Sequence, residues 1–398
     1  MGAFCFPARQ LISWGGSFHF TPARPLPAGS RVTLFAPSMT KKVILFGPLP
    51  PPYGGVSVYL STLAELWKGS GVRVWATHEG GRKSVAAHVR HVNHRRLGVI
   101  PALLREGRGG GVRVLDATHF HLEYPHPILL PLWLAAKLLL RFEWYKNIHD
   151  GSLPARHRHF NFVRRWLFRR AANSVTEFVV VSEDLRRWLR DEIKVRQHIT
   201  LVPGLLPLPP AASNHVLPAA TQAALAPYLR RRRRVCCIGV FIPSYGFRHV
   251  ARALEKIRAE TNLDIGLLLL DGVFARADDY RVEVLRDRDW ITVLENVPHP
   301  EVFGIMKSSE VFVRAFGHES YGISRVEAIW CGRPVVATTA GETRGMLLYE
   351  FGDEHELVRQ LKRALFDPPT QNVAEWAAQF QQEAEANLQA LRKTLDLT

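Results

Sequence analysis

Residues 311–337 read VFVRAFGHESYGISRVEAIWCGRPVVA, and this stretch decides the fold. Val311, Phe312 and Val313 are a short apolar run of the kind a buried parallel strand shows. A polar, glycine-containing loop, His318 to Ser324, follows. From about Ser324 to Cys331 the apolar spacing suits a helix, and Gly332 with Pro334 is a stop signal. Pro334-Val335-Val336-Ala337 opens another buried strand. Glu319 and Glu327, eight residues apart, fall in the loop and on the helix. A helix N-terminus offers unpaired N–H groups and the positive end of a dipole, so it suits a phosphate. Glu319 would lie beside that phosphate, within reach of a sugar hydroxyl. Glu327 would face the same crevice, where a ribose diol could donate to it. The alternative is a helix-start carboxylate at 319 and a solvated helix residue at 327.

With Gly322 and the run Glu327-Ala-x3-Gly332-x-Pro334-Val335-Val336-Ala337, the stretch resembles the donor-site signature of family 4 retaining glycosyltransferases of GT-B fold. The resemblance implies two doubly wound α/β domains facing across a cleft, and sugar transfer from a nucleotide-sugar donor to a hydroxyl acceptor. Catalytic contacts fall on Glu319 and His149. Donor contacts fall on Glu327, on Ser320, Tyr321, Gly322 and Ile323, and on Gly54 and Gly55. Many family members hold the donor diphosphate with an arginine and a lysine where this chain has Val240 and Tyr245. Arg248 and Arg314 are the candidate substitutes; each could supply a bidentate fork. In this family the leaving phosphate oxygen is thought to accept the acceptor's proton, so no protein general base is nominated. No convincing Asp-x-Asp motif stands on a loop, so no metal is expected, and no cofactor beyond the donor is implied.

The remaining chain fits that frame. Alternating strands and helices break near residue 205. The expected order is an extension over 1–40, a first Rossmann-like acceptor domain over 41–205, and a Pro- and Ala-rich linker over 206–232. A nucleotide-sugar domain over 233–370 and a C-terminal helix over 371–398 complete it. That helix would cross back to the first domain, with Trp376 anchoring the contact. Met39-Thr-Lys-Lys reads as a natural start, with 1–38 an extension of the gene model or a disordered tail. Gly54-Gly55 lets a ligand approach the start of the next helix but lacks the GxGxxG fingerprint, so NAD is not expected. His149 sits at a strand's carboxyl end, where ligands of open α/β sheets bind. His119 and His121 line the acceptor side or merely end a strand, and Thr338–Gly345 reads as a loop closing over the donor.

Net charge is +16, from 52 Lys and Arg against 36 Asp and Glu, which draws polyanionic partners. No nucleic-acid-binding motif is evident, so phosphorylated substrates and an anionic membrane face rank ahead of nucleic acid. Four scattered cysteines make neither a disulfide framework nor a zinc site, and Cys236-Cys237 lie in a strand run; this fits a reducing, cytoplasmic setting. The longest apolar run, Pro127–Leu140, is 14 residues, too short to span a bilayer, and reads as a buried helix. Ala155–Ala172 reads as one basic helix whose stripe is Phe160, Val163, Leu167 and Ala171. Either it lies on an anionic bilayer, with a lipid-linked or polysaccharide acceptor nearby, or its stripe enters the core. The run Arg230–Arg234 reads as a solvated charge cluster before a strand. Two alternatives stand beside this reading: a catalytically silent sugar-nucleotide-binding or partner protein, motivated by the missing Arg and Lys, and a sugar-nucleotide epimerase, against which Glu319-x7-Glu327 and the absence of an extra acid pair count.

Overall fold

Short apolar runs bounded by glycine loops alternate with helices, and two separate sheets result. The computed structural model describes residues 42–77, 89–92, 98–107, 111–208, 216–273, 275, 277–369 and 373–397. The expectations for 1–38 therefore lie outside the described residues. Strands β1 (Lys42–Pro48), β2 (Arg73–Thr77), β3 (Val89–Val92), β4 (Val112–Asp116), β5 (Glu143–Ile148), β6 (Glu177–Val180) and β7 (His198–Leu201) form the first sheet. Its order is β3-β2-β1-β4-β5-β6-β7, and every pairing is parallel. Strands β8 (Arg233–Gly239), β9 (Ile265–Asp271), β10 (Ile291–Glu295), β11 (Val311–Arg314), β12 (Val335–Thr338) and β13 (Leu347–Tyr349) form the second, in the order β10-β9-β8-β11-β12-β13, again all parallel. Both sheets are doubly wound, as expected. In each, the chain runs outward from a central strand, then returns to that strand's other side. The switch points lie between β1 and β4 and between β8 and β11, where a crevice opens at the carboxyl ends.

The helices are α1 (Gly55–Leu66), α2 (Val99–Gly107), α3 (Leu129–Leu140), α4 (Leu153–Arg158), α5 (Phe162–Ser174), α6 (Glu183–Arg187) and α7 (Ala219–Leu229). They continue with α8 (Phe247–Thr261), α9 (Asp278–Leu285), α10 (His299–Ser308), α11 (Ile323–Trp330), α12 (Glu354–Phe366) and α13 (Val373–Leu395). Parallel strands buried on both faces need continuous apolar sequence, and Val235-Cys236-Cys237 and Ile265–Leu270 supply it: all these residues are buried, Gly266 included, where a Cβ would stand 2.5 Å from the Arg231 side chain.

Several local expectations are corrected. The Pro- and Ala-rich segment over 206–232 contains α7, with Leu225 and Tyr228 buried in the second sheet's core and the Tyr228 hydroxyl on Ser309 at 2.7 Å. The basic segment 155–172 is two helices, because Asn161 accepts the Arg164 N–H and starts α5 afresh. The buried face of α5 is Leu167, Phe168, Ala171 and Ala172, and Val163 points outward. Helix α3 buries only Leu130, Trp133 and Ala136, so the 127–140 run is not a buried helix. The arginine run is not simply solvated: Arg231 pairs with Asp264 at 3.1 Å and Arg233 with Glu310 at 2.8 Å. Trp376 packs beside Gly345 and under Arg344, on the second half of the chain. The contact of α13 with the first sheet's core is made further along by Leu388, Leu391 and Leu395, and Arg113 donates to the Leu395 carbonyl at 2.6 Å.

The turn after β8 depends on one glycine. Gly246 has φ +67°, and a Cβ there would stand 2.6 Å from the Ala315 carbonyl oxygen. Gly246→Ala should therefore cost roughly 2 kcal/mol or more in urea unfolding, from left-handed strain and the backbone clash together. A loss below about 0.5 kcal/mol would show that this turn shifts freely.

Candidate active site

The carboxyl ends of both sheets open into one cavity of about 670 Å³. From the first sheet it is lined by Pro52–Val58, His119, His149–Ser152 and Gly204; from the second by Ile238, Gly239, Ser244, Tyr245, Asp271, His299, Arg314 and 318–324 with Glu327. The two sides meet closely: a Cβ on Gly151 would lie 3.0 Å from the Ser320 Cβ. The sequence reading named most of this lining, including Gly54, Gly55, His149, Arg314, Glu319, Ser320, Tyr321, Gly322, Ile323 and Glu327.

Each side chain is placed by its element. The loop after β1 is tied by Ser57, whose hydroxyl accepts the Gly54 N–H at 2.9 Å and donates to the Pro52 carbonyl at 2.8 Å. A Cβ on Gly55 would meet nothing within 4 Å, so this start of α1 leaves room for a ligand. On the other side, Gly322 caps α11 with φ +87°, which aims the first turn of that helix at the cavity. The first N–H groups of a helix lack intrahelical acceptors, so this end favours an anion.

Glu319 lies just before α11 and accepts the Arg314 Nε–H at 2.7 Å. Arg314 also donates from Nη1 to the Ile238 carbonyl at 2.7 Å, and its guanidinium lies 5.1 Å from the Tyr245 ring and 5.4 Å from the Phe316 ring. Burial opposes that charge, but Glu319 and Tyr245 hold the Arg314 pKa above the usual arginine range. The positions of the missing arginine and lysine are thereby explained. Val240 is fully buried, and the Tyr245 ring stacks on Phe316 at 4.2 Å with Arg314 across its face. Arg314 brings a cation to this wall of the cleft. Arg248 does not: it lies outside the cavity lining, with Nη1 donating to both Glu283 oxygens at 3.2 Å and the guanidinium facing the Tyr280 ring. Its place on the outward face of α8 removes it from the site.

Glu327 is buried, one turn and a half into α11, and its Oε1 is 2.6 Å from His299 Nε2 at the start of α10. Sequence reasoning missed His299, since the pairing joins residues 28 apart. The nearest signal was the Pro-His-Pro turn itself. It also missed Arg325, fully buried behind Glu319. From Nη1, Arg325 donates to the carbonyls of Thr338, Ala340 and Glu342 at 3.1, 2.5 and 2.9 Å. Burial pushes its pKa down to about 10. These bonds, with Glu342 N–H on the Tyr321 carbonyl at 2.8 Å, fix the loop 338–345 against the site's back wall, where it does not line the cavity. The expected flap is a buttress.

Of the three candidate histidines, His121 is a core residue: it is fully buried, 2.6 Å from Asp116 and stacked on Trp133. His119 and His149 line the cavity. His119 Nδ1 and His149 Nε2 are buried atoms with no hydrogen-bond partner among the described residues. A ligand hydroxyl would satisfy either. Burial, then the charges of His119 and Lys146, push His149 down to about 3, so it is a neutral donor or acceptor near neutral pH. An unfolded imidazole protonates near 6.5. Between those values the unfolded chain binds a proton that the fold does not, so this contribution to stability is complete above about pH 6.5 and falls with pH. His149→Gln should flatten the urea-measured loss of stability between pH 6.5 and 4 by up to about 1.4 kcal/mol per pH unit. An unchanged slope would place His149 in water.

Among the described residues, no group of three or more His, Cys, Asp or Glu side chains could hold a metal ion. No helix among them is long and apolar enough to cross a membrane.

Comparison with known proteins agrees with this geometry. Residues 232–367 match the family model for glycosyl transferases group 1. A 2-deoxystreptamine glucosyltransferase of Streptomyces kanamyceticus is 28% identical over 225 residues, which are 52% of this chain and 54% of that protein. The match thus spans about half the length of that relative. Among solved structures, Anabaena HepE in complex with UDP-glucose superposes with a TM-score of 0.64 at 17% identity, covering 89% of this chain and 100% of that one. The sucrose-phosphate synthase of Thermosynechococcus elongatus does so with a TM-score of 0.59 at 17% identity, covering 90% and 97%. At these identities the likeness shows the fold, which is GT-B.

Proposed function

We propose that this chain, whose second half carries the glycosyl transferases group 1 domain, moves a sugar from a nucleotide-sugar donor to a hydroxyl acceptor with retention at the anomeric carbon. The observation that carries the reading is the joint placement of Glu319, the α11 N-terminus and Glu327 in one cavity at both switch points. In this reading Glu327, held by His299, accepts the two ribose hydroxyls. The N-terminus of α11 and the backbone of 320–323 meet the diphosphate, with Arg314 behind them. Glu319 binds hydroxyls of the transferred sugar, and the neutral His149 ring contacts the same sugar from the other side. Helix dipole, backbone amides and a guanidinium offset the diphosphate's charge, so a divalent ion is not required.

No protein base is assigned. The departing phosphate oxygen, held by backbone N–H groups, takes the acceptor's proton on the face it leaves. The two sides of the cleft exclude water around it. The acceptor is a hydroxyl of a saccharide or of a lipid-linked saccharide, in the building of a surface polysaccharide or glycolipid at the inner face of a membrane. Supporting this are the charge of +16 and the group 1 domain.

The test is to incubate the protein with UDP-, GDP- and ADP-sugars, with and without EDTA, and read released sugar or transferred product by NMR. Product with the donor's own anomeric configuration, unaffected by EDTA, supports the reading. Inverted product, or turnover abolished by EDTA, contradicts it. A second reading, a silent sugar-nucleotide-binding protein, rests on Val240 and Tyr245; binding without any turnover would favour it.

A further inference from the structure

We infer that the outer faces of α3 and α5 form one docking surface, and that its occupant is the headgroup layer of an anionic bilayer. Helix α3 joins β4 to β5 in the sheet, and α5 joins β5 to β6. These strands are neighbours and parallel, and such crossovers are right-handed. Both helices therefore cover the same face of the sheet, side by side, with their outer sides turned the same way.

Those outer sides expose large apolar residues, on α3 almost alone and on α5 among arginines. On α3 and its entry, Ile128, Pro131, Ala135, Leu138 and Leu139 are exposed, at helical spacing, and the two leucines are each 79% exposed. On α5, Phe162 is 83% exposed, with Val163 and Trp166 beside it. Seven of the thirteen large exposed hydrophobic residues among those described lie here, counting Tyr124. Scattered apolar residues need no account, but a concentration of this size on one face of a sheet marks an interaction site.

Charge identifies the occupant. Between Tyr124 and Phe142, and again between Gly151 and Thr176, there is no Asp or Glu. Among the described residues, Arg141, Arg158, Arg164, Arg165, Arg169 and Arg170 make no ion pair with a carboxylate. Arginines of the second half such as Arg231, Arg248, Arg281 and Arg344 do. Trp166, Arg169, Arg170, Asn173 and Ser174 line a groove on α5, and Arg170 faces the Trp166 ring at 5.5 Å. Exposed leucines on α3, and aromatics on α5 among arginines without a carboxylate partner, match acyl chains below and phosphates above. A protein partner would have to be acidic along its whole contact, while an anionic bilayer presents that pattern anywhere.

The placement has a consequence that rests on the transferase reading. Crossover helices start at the carboxyl ends of strands, so Tyr124, Ile128, Phe162 and Val163 lie at the cleft edge of this face. An acceptor anchored in the same bilayer would meet the cleft without leaving it.

Flotation of the full chain with vesicles of phosphatidylcholine, alone or with 30% phosphatidylglycerol, tests the surface without reference to turnover; nucleotide binding in solution is measured in parallel. The chain should float with anionic vesicles and not with neutral ones at low salt. L138S/L139S should lower the partition at least about tenfold, and R164Q/R165Q/R169Q/R170Q at least about 100-fold. K68Q/R286Q, at two exposed cations elsewhere, should leave it unchanged. All these side chains are on the surface, so nucleotide binding should persist in every variant. No flotation of the wild type, or equal flotation of the face variants, overturns the inference and leaves the donor site standing. A dimer in sedimentation that L138S/L139S dissolves, with no flotation, would assign the face to a second copy and overturn it as well.

Discussion

Glu327→Ala should lower affinity for the cognate nucleoside diphosphate by at least about 100-fold in calorimetry, with the fold intact. Each hydrogen bond from a ribose hydroxyl to a charged acceptor contributes about 1.5–3 kcal/mol, and the variant removes two. The carboxylate is buried and its Oε1 is engaged by His299 at 2.6 Å. That bond fixes the rotamer and directs the remaining lone pairs toward the cavity. His299→Ala should therefore weaken binding less than Glu327→Ala, about tenfold, by loosening a group that still makes both bonds. Equal affinity for wild type and Glu327→Ala would remove Glu327 from the donor site. A larger loss in His299→Ala would make the histidine the ligand and the glutamate its support.

Arg314→Leu should destabilise the protein by about 3–5 kcal/mol and abolish turnover. Glu319 and Arg314 are each about a tenth exposed as side chains, and they share a 2.7 Å bond. Removing the guanidinium leaves a carboxylate with little water and no hydrogen-bonded counter-charge, since the nearby Arg325 is engaged by the carbonyls of the 338–342 loop, and this is the costly way to break a buried pair. It also frees the Ile238 carbonyl and takes the cation from beside the stacked Tyr245 and Phe316 rings. The double variant Arg314→Leu with Glu319→Leu should recover most of the stability, since two apolar side chains replace a desolvated pair, while turnover stays lost. Arg314→Lys keeps the charge without the fork and should fall between. If Arg314→Leu unfolds in urea within 1 kcal/mol of wild type, Glu319 is solvated and the pairing does not organise the loop.

The parts of the site legible in the sequence are those written locally. Strand, glycine loop and helix follow one another within 311–337, and φ +87° at Gly322 is what a glycine there supplies. Glu319 and Glu327 are placed by that local geometry alone. The parts that stayed hidden are made by tertiary packing. His299 meets Glu327, and Arg325 meets the 338–342 loop, through contacts that no spacing encodes. Arg248 resembled a cleft residue by its distance from Gly246, but helical rotation carries it to Glu283. Helix α3 shows a third limit: every face of it is apolar, so its sequence has no period to say which side is buried. Only its neighbours decide, and they leave Leu138 and Leu139 in the open.

The switch-point cavity is expected to take a nucleotide sugar. A thermal-shift screen of the wild-type chain against UDP, GDP, ADP and their sugars tests it most directly. Stabilisation by one nucleotide family and its sugars is expected, about 2.7 kcal/mol at a ligand concentration 100 times Kd, and at most about 0.4 kcal/mol in Glu327→Ala at that same concentration. No shift with any of them, or an equal shift in Glu327→Ala, would contradict it.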